Sequence, residues 1–232
     1  PADIQLFSAW LATPAAGAIN SVTIDSTSSR KLSKGPPDYA SQEQVDASGP
    51  RTYTLTVGEE KIDLSQKNLG SADVTLVAAW LTTSAGAAVN SVTVDGNPIG
   101  LPSVSLKPGA VTVAVKKGVF AAVGGRFGEV DRDVPGGKEI MLTWLDNDQK
   151  SGWIKVDKLT SVVASRTDLI EDYSHIRSLG EALSSSKVQT YGFANCKFNP
   201  VSLATFVESV RWETGALTEV NVAFNQIGSD GG

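Results

Sequence analysis

The sequence contains an internal duplication, which constrains the fold more than any other feature. Residues 6–25 (LFSAWLATPAAGAINSVTID) and 76–95 (LVAAWLTTSAGAAVNSVTVD) align at a constant offset of 70 and are identical at 12 of 20 positions. In each copy an apolar run ends at Trp-Leu, a turn of small residues follows, and a second segment alternates apolar with hydroxyl side chains. Because such alternation is typical of a half-buried strand, each copy predicts a β-hairpin-like unit.

Other short apolar segments, bounded by Gly, Pro, Asn and Asp, also predict strands. The full set of strand candidates spans 4–11, 19–25, 51–57, 73–81, 89–95, 110–116, 118–123, 138–145, 152–157 and 159–164. Residues 138–157 echo the duplicated unit only faintly, since Trp-Leu followed by alternation is common in β proteins. The 70-residue offset is too long for a solenoid repeat and too short for a sandwich domain of about 100 residues. We therefore expect two half-sheets that share one core.

A polar segment follows the first copy and has no counterpart after the second. Residues 26–49 contain Gly35, Pro36 and Pro37 among mostly polar neighbours. Such a composition is typical of a surface loop.

The pattern changes after residue 165. Thr167 and Asp168 offer an N-cap, with Glu171 placed to complete a capping box, and the apolar spacing that follows predicts a helix over 168–184. Residues from Asn199 to 210 fit a second helix or a strand, and 217–224 alternate as a late strand. The expected fold class is mainly β, an antiparallel sandwich or jelly-roll-like arrangement with one or two helices in the C-terminal third. Residues 1–165 form the β-rich region, and 166–232 form a mixed α/β segment that is either separate or part of the same domain.

Composition excludes several classes of protein. With 41% apolar and 19% charged residues, the chain is not disordered. A single cysteine, Cys196, excludes a disulfide scaffold, and one histidine, His175, leaves too few ligands for a His/Cys zinc site. The net charge of −5 argues against direct binding of nucleic acid. No apolar run approaches the ~20 residues of a membrane span.

Two residues are candidates for reactive chemistry. His175 could act as an acid or base, but no Gly-x-Ser-x-Gly elbow accompanies it, so we expect a solvated position on the helix. Cys196 lies between Phe193 and Phe198 and is expected to be a small buried hydrophobe. If it were exposed, the adjacent Lys197 would lower the pKa of its thiol.

Five tryptophans raise the alternative of a sugar-stacking platform. Trp10 and Trp80 occupy equivalent positions inside apolar runs, which is typical of core packing. Trp153 follows a polar turn and a glycine and is the one expected to be exposed.

Two acidic clusters contain the oxygen ligands that calcium prefers. Asp146 and Asp148 supply the first and third positions of a sequence that resembles the opening of a calcium loop, but a lysine occupies the fifth position and the glycine comes one residue late. Glu129, Asp131 and Asp133 would project from one face of a strand. No resident cofactor is expected. Solvated turns are the first interpretation, and a calcium ion shared between subunits is the alternative.

The sequence therefore favours a non-enzymatic structural protein that self-assembles into a particle, such as a viral or phage coat, spike or tail component. The alternative is a carbohydrate-binding or adhesion β-sandwich. The expected partners are copies of the chain itself, other particle proteins or a cell-surface glycan, with no direct nucleic-acid contact and no membrane span. The expected location is a virion or an extracellular surface. Because the chain begins at Pro1 without a charged-then-apolar leader, a targeting segment is expected to be removed or to lie outside it.

Overall fold

The structure, a computed structural model, describes residues 2–11, 13–28, 34, 41–123, 126–133, 138–145 and 150–228. The α-helices in this part of the chain are α1 (Ala2–Leu11), α2 (Gln42–Ala47), α3 (Ser71–Leu81), α4 (Ser174–Ser185) and α5 (Pro200–Ser209). The strands are β1 (Ser21–Asp25), β2 (Thr52–Thr56), β3 (Lys61–Asp63), β4 (Ser91–Thr93), β5 (Ser103–Leu106), β6 (Phe120–Val123), β7 (Arg126–Asp133), β8 (Glu139–Trp144), β9 (Ile154–Lys155), β10 (Ser161–Val163), β11 (Leu169–Asp172), β12 (Thr190–Gly192) and β13 (Glu219–Asn221).

Contacts divide the chain into two compact units, and each is discontinuous in sequence. Unit 1 comprises Pro1–Ser29, Pro50–Leu101 and Tyr173–Gly232, and unit 2 comprises Arg30–Gly49 and Pro102–Asp172. The chain thus leaves unit 1 after Leu101 and returns at Tyr173, whereas the sequence pattern predicted a change of character at residue 166.

Unit 1 is built on a parallel sheet in the order β3-β4-β12-β13. A helix precedes each of the last three strands: α3 leads to β4, α4 to β12 and α5 to β13. These helices pack side by side, α3 on α4 and α4 on α5, with α1 on the other side of α3. The architecture is a stack of strand–loop–helix repeats, as in solenoid proteins.

The spacing of the repeats follows from the residues at the centres of the strands. Ile62 and Val92 are 30 residues apart, and Tyr191 and Val220 are 29 apart. The stretch between Val92 and Tyr191 contains the inserted 102–172 segment of unit 2. The expectation that the 70-residue offset excludes a solenoid is therefore wrong, because the structural period is much shorter than that offset.

Every described repeat leaves the sheet through the same backbone turn. Four residues after the central strand residue, Gln66, Gly96, Asn195 and Phe224 all have a positive φ, of 55°, 74°, 53° and 58° respectively. A left-handed residue costs little for Gly or Asn but is uncommon for a bulky aromatic one. The recurrence of this turn confirms that the four strands belong to equivalent repeats.

Both copies of the duplicated unit fold as helix, turn and strand, so the predicted β-hairpin is wrong. The strand candidates 4–11 and 73–81 are instead α1 and α3. Eight of the eleven residues of α3 are buried, because the helix packs between α1 and α4 and its apolar side chains share one core cluster with the strands. A helix that is buried on most sides has a continuous run of apolar residues in its sequence. Periodicity does not distinguish such a run from a buried strand.

The strand of the first copy pairs differently from that of the second. β1 pairs antiparallel with β2, which was also predicted as a strand. Asp73 at the start of α3 anchors this pair: its buried carboxylate accepts hydrogen bonds from the Thr27 N–H and hydroxyl at 2.8 and 2.6 Å, from the Tyr53 hydroxyl at 2.9 Å, and from the Gly70 N–H at 2.8 Å. Burial, followed by the Asp73 charge, raises the pKa of Tyr53.

Unit 2 contains an antiparallel sheet in the order β10-β6-β7-β8-β9 and a separate antiparallel pair, β5 with β11. One face of β8 is buried through Ile140, Leu142 and Trp144, and the Arg126 guanidinium lies 4.4 Å from the centre of the Trp144 ring. The strands predicted within 118–123, 138–145, 152–157 and 159–164 are confirmed, whereas 110–116 forms none. The described residues of 138–157, which are 138–145 and 150–157, contain β8 and β9 and no α-helix, so they do not repeat the duplicated unit.

The fold class is confirmed only in its coarser part: antiparallel sheets are present, but α-helices also occur in the first half of the described chain. In the C-terminal third, the predicted helix over 168–184 begins later, at Ser174, because 169–172 pairs with β5 as strand β11. The helix interpretation of 200–209 and the late strand within 217–224 are confirmed. The predicted loop over 26–49 contains α2, and much of the remainder lies outside the described residues.

Candidate functional site

The candidate site is the face of the parallel sheet that is turned away from the helices. Ile62, Val92 and Tyr191 point into the core, so the residues on either side of them point to the opposite face. The strand registers align these residues in two rows across the sheet. We call this set the open face; it consists of Lys61, Asp63, Ser91, Thr93, Thr190, Gly192, Glu219 and Asn221.

The open face has small side chains in its middle and longer ones at its two edges. Lys61 and Asp63 on β3 are exposed, as are Glu219 and Asn221 on β13. Between them, β4 and β12 contribute only Ser, Thr and Gly. The edges are therefore higher than the middle, which leaves a shallow polar trough across the strands.

Gly192 in the floor of this trough leaves room for neighbouring side chains. A Cβ added there would lie 2.9 Å from Asp95 Oδ1 and 3.0 Å from Thr93 Cγ2. The Asp95 carboxylate reaches across to the next repeat, where it accepts a hydrogen bond from the Ala194 N–H at 2.8 Å. The absence of a side chain at residue 192 thus allows a carboxylate to lie beside the open face.

The open face and its border are acidic. Asp63, Asp95 and Glu219 outnumber Lys61, and Glu59 and Glu60 are exposed immediately before β3. The Ser65 side chain and the Ser65 N–H, which lies 2.9 Å from Asp63 Oδ1, hold the pKa of Asp63 below its usual value. Asp63 is therefore ionised at neutral pH and available to a cationic partner.

Buried polar side chains fix the loops that follow the strands. Asn97, fully buried, donates from Nδ2 to the carbonyls of Leu64 at 2.8 Å and Val94 at 2.6 Å, and its Oδ1 accepts from the Leu69 N–H at 2.9 Å. These partners belong to two successive repeats, so one side chain links them. Each of these buried hydrogen bonds adds stability. A buried donor or acceptor that lost its partner would cost more free energy than the hydrogen bond contributes.

The same position in the later repeats has the same role. Asn225 accepts from the Cys196 N–H at 2.8 Å and the Phe198 N–H at 3.0 Å and donates to the Phe193 carbonyl at 2.7 Å. Cys196 itself donates from Sγ to the Val94 carbonyl at 3.2 Å. Asn97, Cys196 and Asn225 each lie five residues after the central residue of their strand, and together they hold neighbouring repeats in register.

The sequence prediction for Cys196 is confirmed and that for His175 is wrong. Cys196 is fully buried, and burial raises the pKa of its thiol to about 12. His175 is only 3% exposed, with Nε2 located 2.9 Å from the Ile99 carbonyl oxygen. Since α4 begins at Ser174, His175 lies one turn before Leu179 on the inner face of the helix, so the predicted solvated position does not occur.

The two equivalent tryptophans differ. Trp80 is fully buried, as predicted, but Trp10 is 38% exposed, so the prediction of a core position for Trp10 is wrong. Trp10 stacks on Phe7, with ring centres 5.4 Å apart. Trp153, expected to be exposed, is half-buried, whereas Trp212 is exposed and was not singled out by the sequence.

The acidic clusters remain candidate calcium ligands only as a prediction. Asp131 pairs with Lys150 at 2.9 Å, which lowers the pKa of Asp131, and a bulge between Val130 and Arg132 breaks the alternation on which the single-face expectation depends. Glu129 is exposed. The side chains of Asp133, Asp146 and Asp148 lie outside the described part of the chain, and the described residues contain no group of three His, Cys, Asp or Glu suited to a metal ion.

The open face was missed by the sequence prediction, although a signal for it existed. Residues 89–99, 188–198 and 217–227 all carry apolar residues at positions 1, 4, 6 and 11 and Asn or Cys at position 9. This spacing resembles the leucine-rich-repeat pattern L-x-x-L-x-L-x-x-N/C-x-L, in which each repeat contributes one strand to a parallel sheet.

Comparisons with protein-family models, with curated proteins and with solved structures found no match. The structure itself therefore defines the class: unit 1 is a strand–loop–helix solenoid with an inserted antiparallel unit. No helix within the described ranges is both long and apolar enough to cross a membrane.

Proposed function

We propose that the protein is a non-enzymatic binding module and that the open face binds a polypeptide segment that carries basic side chains. The observation that carries this proposal is the acidic polar trough across successive repeats, with exposed side chains at its two edges and small, half-buried or buried residues between them. Solenoids use such extended sheet or helix surfaces to bind other macromolecules. Because recognition residues on strands hold their positions better than residues on loops, the trough is suited to specific binding.

Charge supports the choice of partner. Asp63, Asp95 and Glu219 attract lysine or arginine side chains, whereas Ser91, Thr93 and Thr190 offer hydroxyl groups for hydrogen bonds to a peptide. Complementary charge raises the rate of association and discriminates between partners more than it raises affinity. Because salt screens exposed charges, we expect the affinity for a basic peptide to fall as the salt concentration rises.

Charge reversal at the two edges of the open face tests the proposal. Random 12-residue peptides are selected on the wild-type protein by display, and their dissociation constants are measured for the variant Asp63→Lys/Glu219→Lys. The control variant, Glu181→Lys/Glu208→Lys, has the same change in charge at exposed positions of α4 and α5. We expect selected peptides to be rich in Lys and Arg and to lose at least ~10-fold in affinity with the open-face variant only. Equal affinity for the two variants would contradict the proposal.

Self-assembly is a second candidate, because the last described repeat exposes apolar side chains. Phe224 is 88% exposed in a left-handed conformation, and Val207 and Trp212 are about half exposed at 46% and 47%. The terminal repeats of soluble solenoids usually present a polar outer face. Assembly into a particle, with unit 2 as a sandwich-like element of a coat, spike or tail protein, remains a proposal that this apolar surface supports.

The oligomeric state tests this second candidate. Size-exclusion chromatography with light scattering compares the wild type with Trp212→Ser/Phe224→Ser, and Val111→Ser is the control because Val111 is an exposed apolar residue of unit 2 at 74%. If the protein assembles through the last repeat, the double variant shifts to monomer and the control does not. A wild-type monomer at all concentrations would contradict assembly and leave peptide binding unaffected.

Glycan binding, the other expectation from the sequence, has less support from this site. The eight residues of the open face include no aromatic side chain on which a sugar ring could stack.

A further inference from the structure

The two edge strands of the parallel sheet, β3 and β13, have different surroundings. At β3 the core residues Ile62 and Leu64 are only 3% and 2% exposed, so the first end of the repeat stack is closed. The equivalent residues of the last repeat, Val220 and Val222, are half-buried. The last end of the stack is therefore open, and it leaves part of the core accessible to water.

Each strand donates a hydrogen bond to the next strand from the same backbone position. Two residues after the strand centre, the N–H groups of Leu64, Val94 and Phe193 donate to carbonyls of the following strand at 2.7, 3.0 and 2.7 Å. Val222 has this position in the last repeat, and its N–H has no acceptor among the residues that the structure describes. The free edge of β13 thus combines an available backbone donor with apolar side chains, which is a template for a further strand.

The helix of the last repeat also exposes apolar side chains. α4 packs on one side of α5, and Val207 and Trp212 remain about half exposed. The two residues are held together, because the Trp212 indole N–H donates to the Val207 carbonyl at 2.9 Å. The open end therefore has apolar groups in both its sheet and its helix layer.

We infer that two copies of the chain pair through β13, antiparallel and about a twofold axis through the sheet, to form one eight-stranded sheet. This inference rests on the second proposal above, self-assembly, and gives it a geometry. A twofold contact uses the same surface of both subunits, so each open end covers the other. Antiparallel pairing about this axis keeps both helix layers on one side of the sheet, so that α5 meets α5 of the partner. The closed first end offers no comparable open core for a head-to-tail contact.

Side chains on the open face favour one register of this pairing. The Asn221 carbonyl accepts from β12, so the backbone groups of the adjacent Val220 face the free edge. With Val220 opposite the partner's Val220, the two residues exchange a pair of hydrogen bonds, and Glu219 lies opposite the partner's Asn221. A carboxylate then faces an amide donor, and the two Glu219 carboxylates do not face each other.

Co-expressed pairs of cysteine variants test this geometry. Glu219→Cys with Asn221→Cys reports the twofold contact, because opposite residues in this register have Cα atoms about 4.5 Å apart, within the range of a disulfide. Lys61→Cys with Glu219→Cys is the matched control, since head-to-tail stacking in the register of the sheet would place these two residues side by side. All three positions are exposed, and the native Cys196 is buried.

One member of each pair carries a tag, so mass spectrometry after mild oxidation distinguishes mixed from like disulfide dimers, and light scattering gives the mass of the wild type. We expect a wild-type dimer and at least ~5-fold more mixed disulfide from the first pair than from the control pair. An oligomer in which the first pair stays reduced, or in which the control pair cross-links instead, would overturn the twofold geometry and leave self-assembly standing. A wild-type monomer at all concentrations would overturn self-assembly and this inference together, and would favour a strand of another protein as the occupant of the edge.

Discussion

The two copies of the duplicated unit have the same local structure in different surroundings. Copy one forms α1 and β1, and copy two forms α3 and β4. Yet β1 belongs to an antiparallel pair with β2, whereas β4 lies between β3 and β12 in the parallel sheet. The shared residues therefore encode helix, turn and strand, and the neighbouring elements decide how the strand pairs and what becomes buried.

Equivalent side chains show the same difference. Trp80 on α3 is fully buried, whereas Trp10 on α1 is 38% exposed. Asn97 links two repeats, but its counterpart Thr27 donates to Asp73 instead. The first copy thus keeps the repeat sequence without forming a repeat of the parallel sheet.

The largest expected difference concerns the tryptophans. Trp80→Ala should lower the free energy of unfolding by ~3–5 kcal/mol, because it removes a large side chain from a closed core. Trp10→Ala should cost less than ~1 kcal/mol, since a partly exposed side chain leaves no closed cavity. Urea unfolding followed by circular dichroism measures both. Similar losses for the two variants would show that the copies have equivalent surroundings.

The second expected difference concerns the residue five positions after the centre of the strand, which is Asn97 in the second copy and Thr27 in the first. Asn97→Ala removes the side-chain partner of the buried Leu69 N–H and of the Leu64 carbonyl, and leaves the Val94 carbonyl with the weaker Cys196 thiol donor, so we expect a loss of ~3 kcal/mol. Thr27→Val removes one donor to Asp73, which keeps its bonds from Tyr53, Gly70 and the Thr27 N–H, so the expected loss is ~1 kcal/mol. Equilibrium unfolding of the two variants under identical conditions measures the two losses in free energy of unfolding and their ratio. A larger loss for Thr27→Val would contradict the proposed role of Asn97.

The smallest effect concerns Cys196, which occupies the Asn97 position in a later repeat. Its pKa is raised by burial from 9.0 to about 12. Between these values the unfolded thiol ionises and the folded one does not, so the contribution to stability is complete below pH 9 and is lost as the pH rises towards 12. Relative to Cys196→Ala, the wild type should lose ~1 kcal/mol by pH 10. Unfolding curves at pH 7 to 10.5 measure this difference, and parallel pH profiles for the two proteins would contradict it.

Several elements could be predicted from the sequence because their signals are local. The antiparallel strands of unit 2 alternate clearly, and α5 begins with Asn199-Pro200, where the Asn199 side chain caps the helix by accepting from the Ser202 N–H at 2.9 Å. The buried state of Cys196 followed from its aromatic neighbours. In each case the residues that determine the structure are close together in the sequence.

The rest depended on contacts between distant segments. Burial of α3 on most sides removes the helical periodicity that would have distinguished it from a strand. The repeat pattern of 89–99 next recurs at 188–198 and then at 217–227, after the insertion of unit 2, which obscured the period. The open face consists largely of Ser, Thr and Gly in its middle, and only the alignment of strands brings Lys61 and Glu219 onto one surface.

Disulfide cross-linking tests the difference between the two copies most directly. Ser91 pairs with Thr190 in the parallel sheet, and Ser21, the counterpart of Ser91, pairs with Thr56. Paired strands lie about 5 Å apart, which suits a disulfide. The buried native Cys196 serves as an internal unreactive thiol.

Three double-cysteine variants are oxidised with copper phenanthroline, and intramolecular disulfides are quantified by non-reducing mass spectrometry. We expect Ser91→Cys/Thr190→Cys and Ser21→Cys/Thr56→Cys to cross-link readily, and Ser21→Cys/Thr190→Cys to remain reduced. Efficient cross-linking of Ser21→Cys/Thr190→Cys, or none in Ser91→Cys/Thr190→Cys, would contradict a parallel repeat sheet that contains only the second copy.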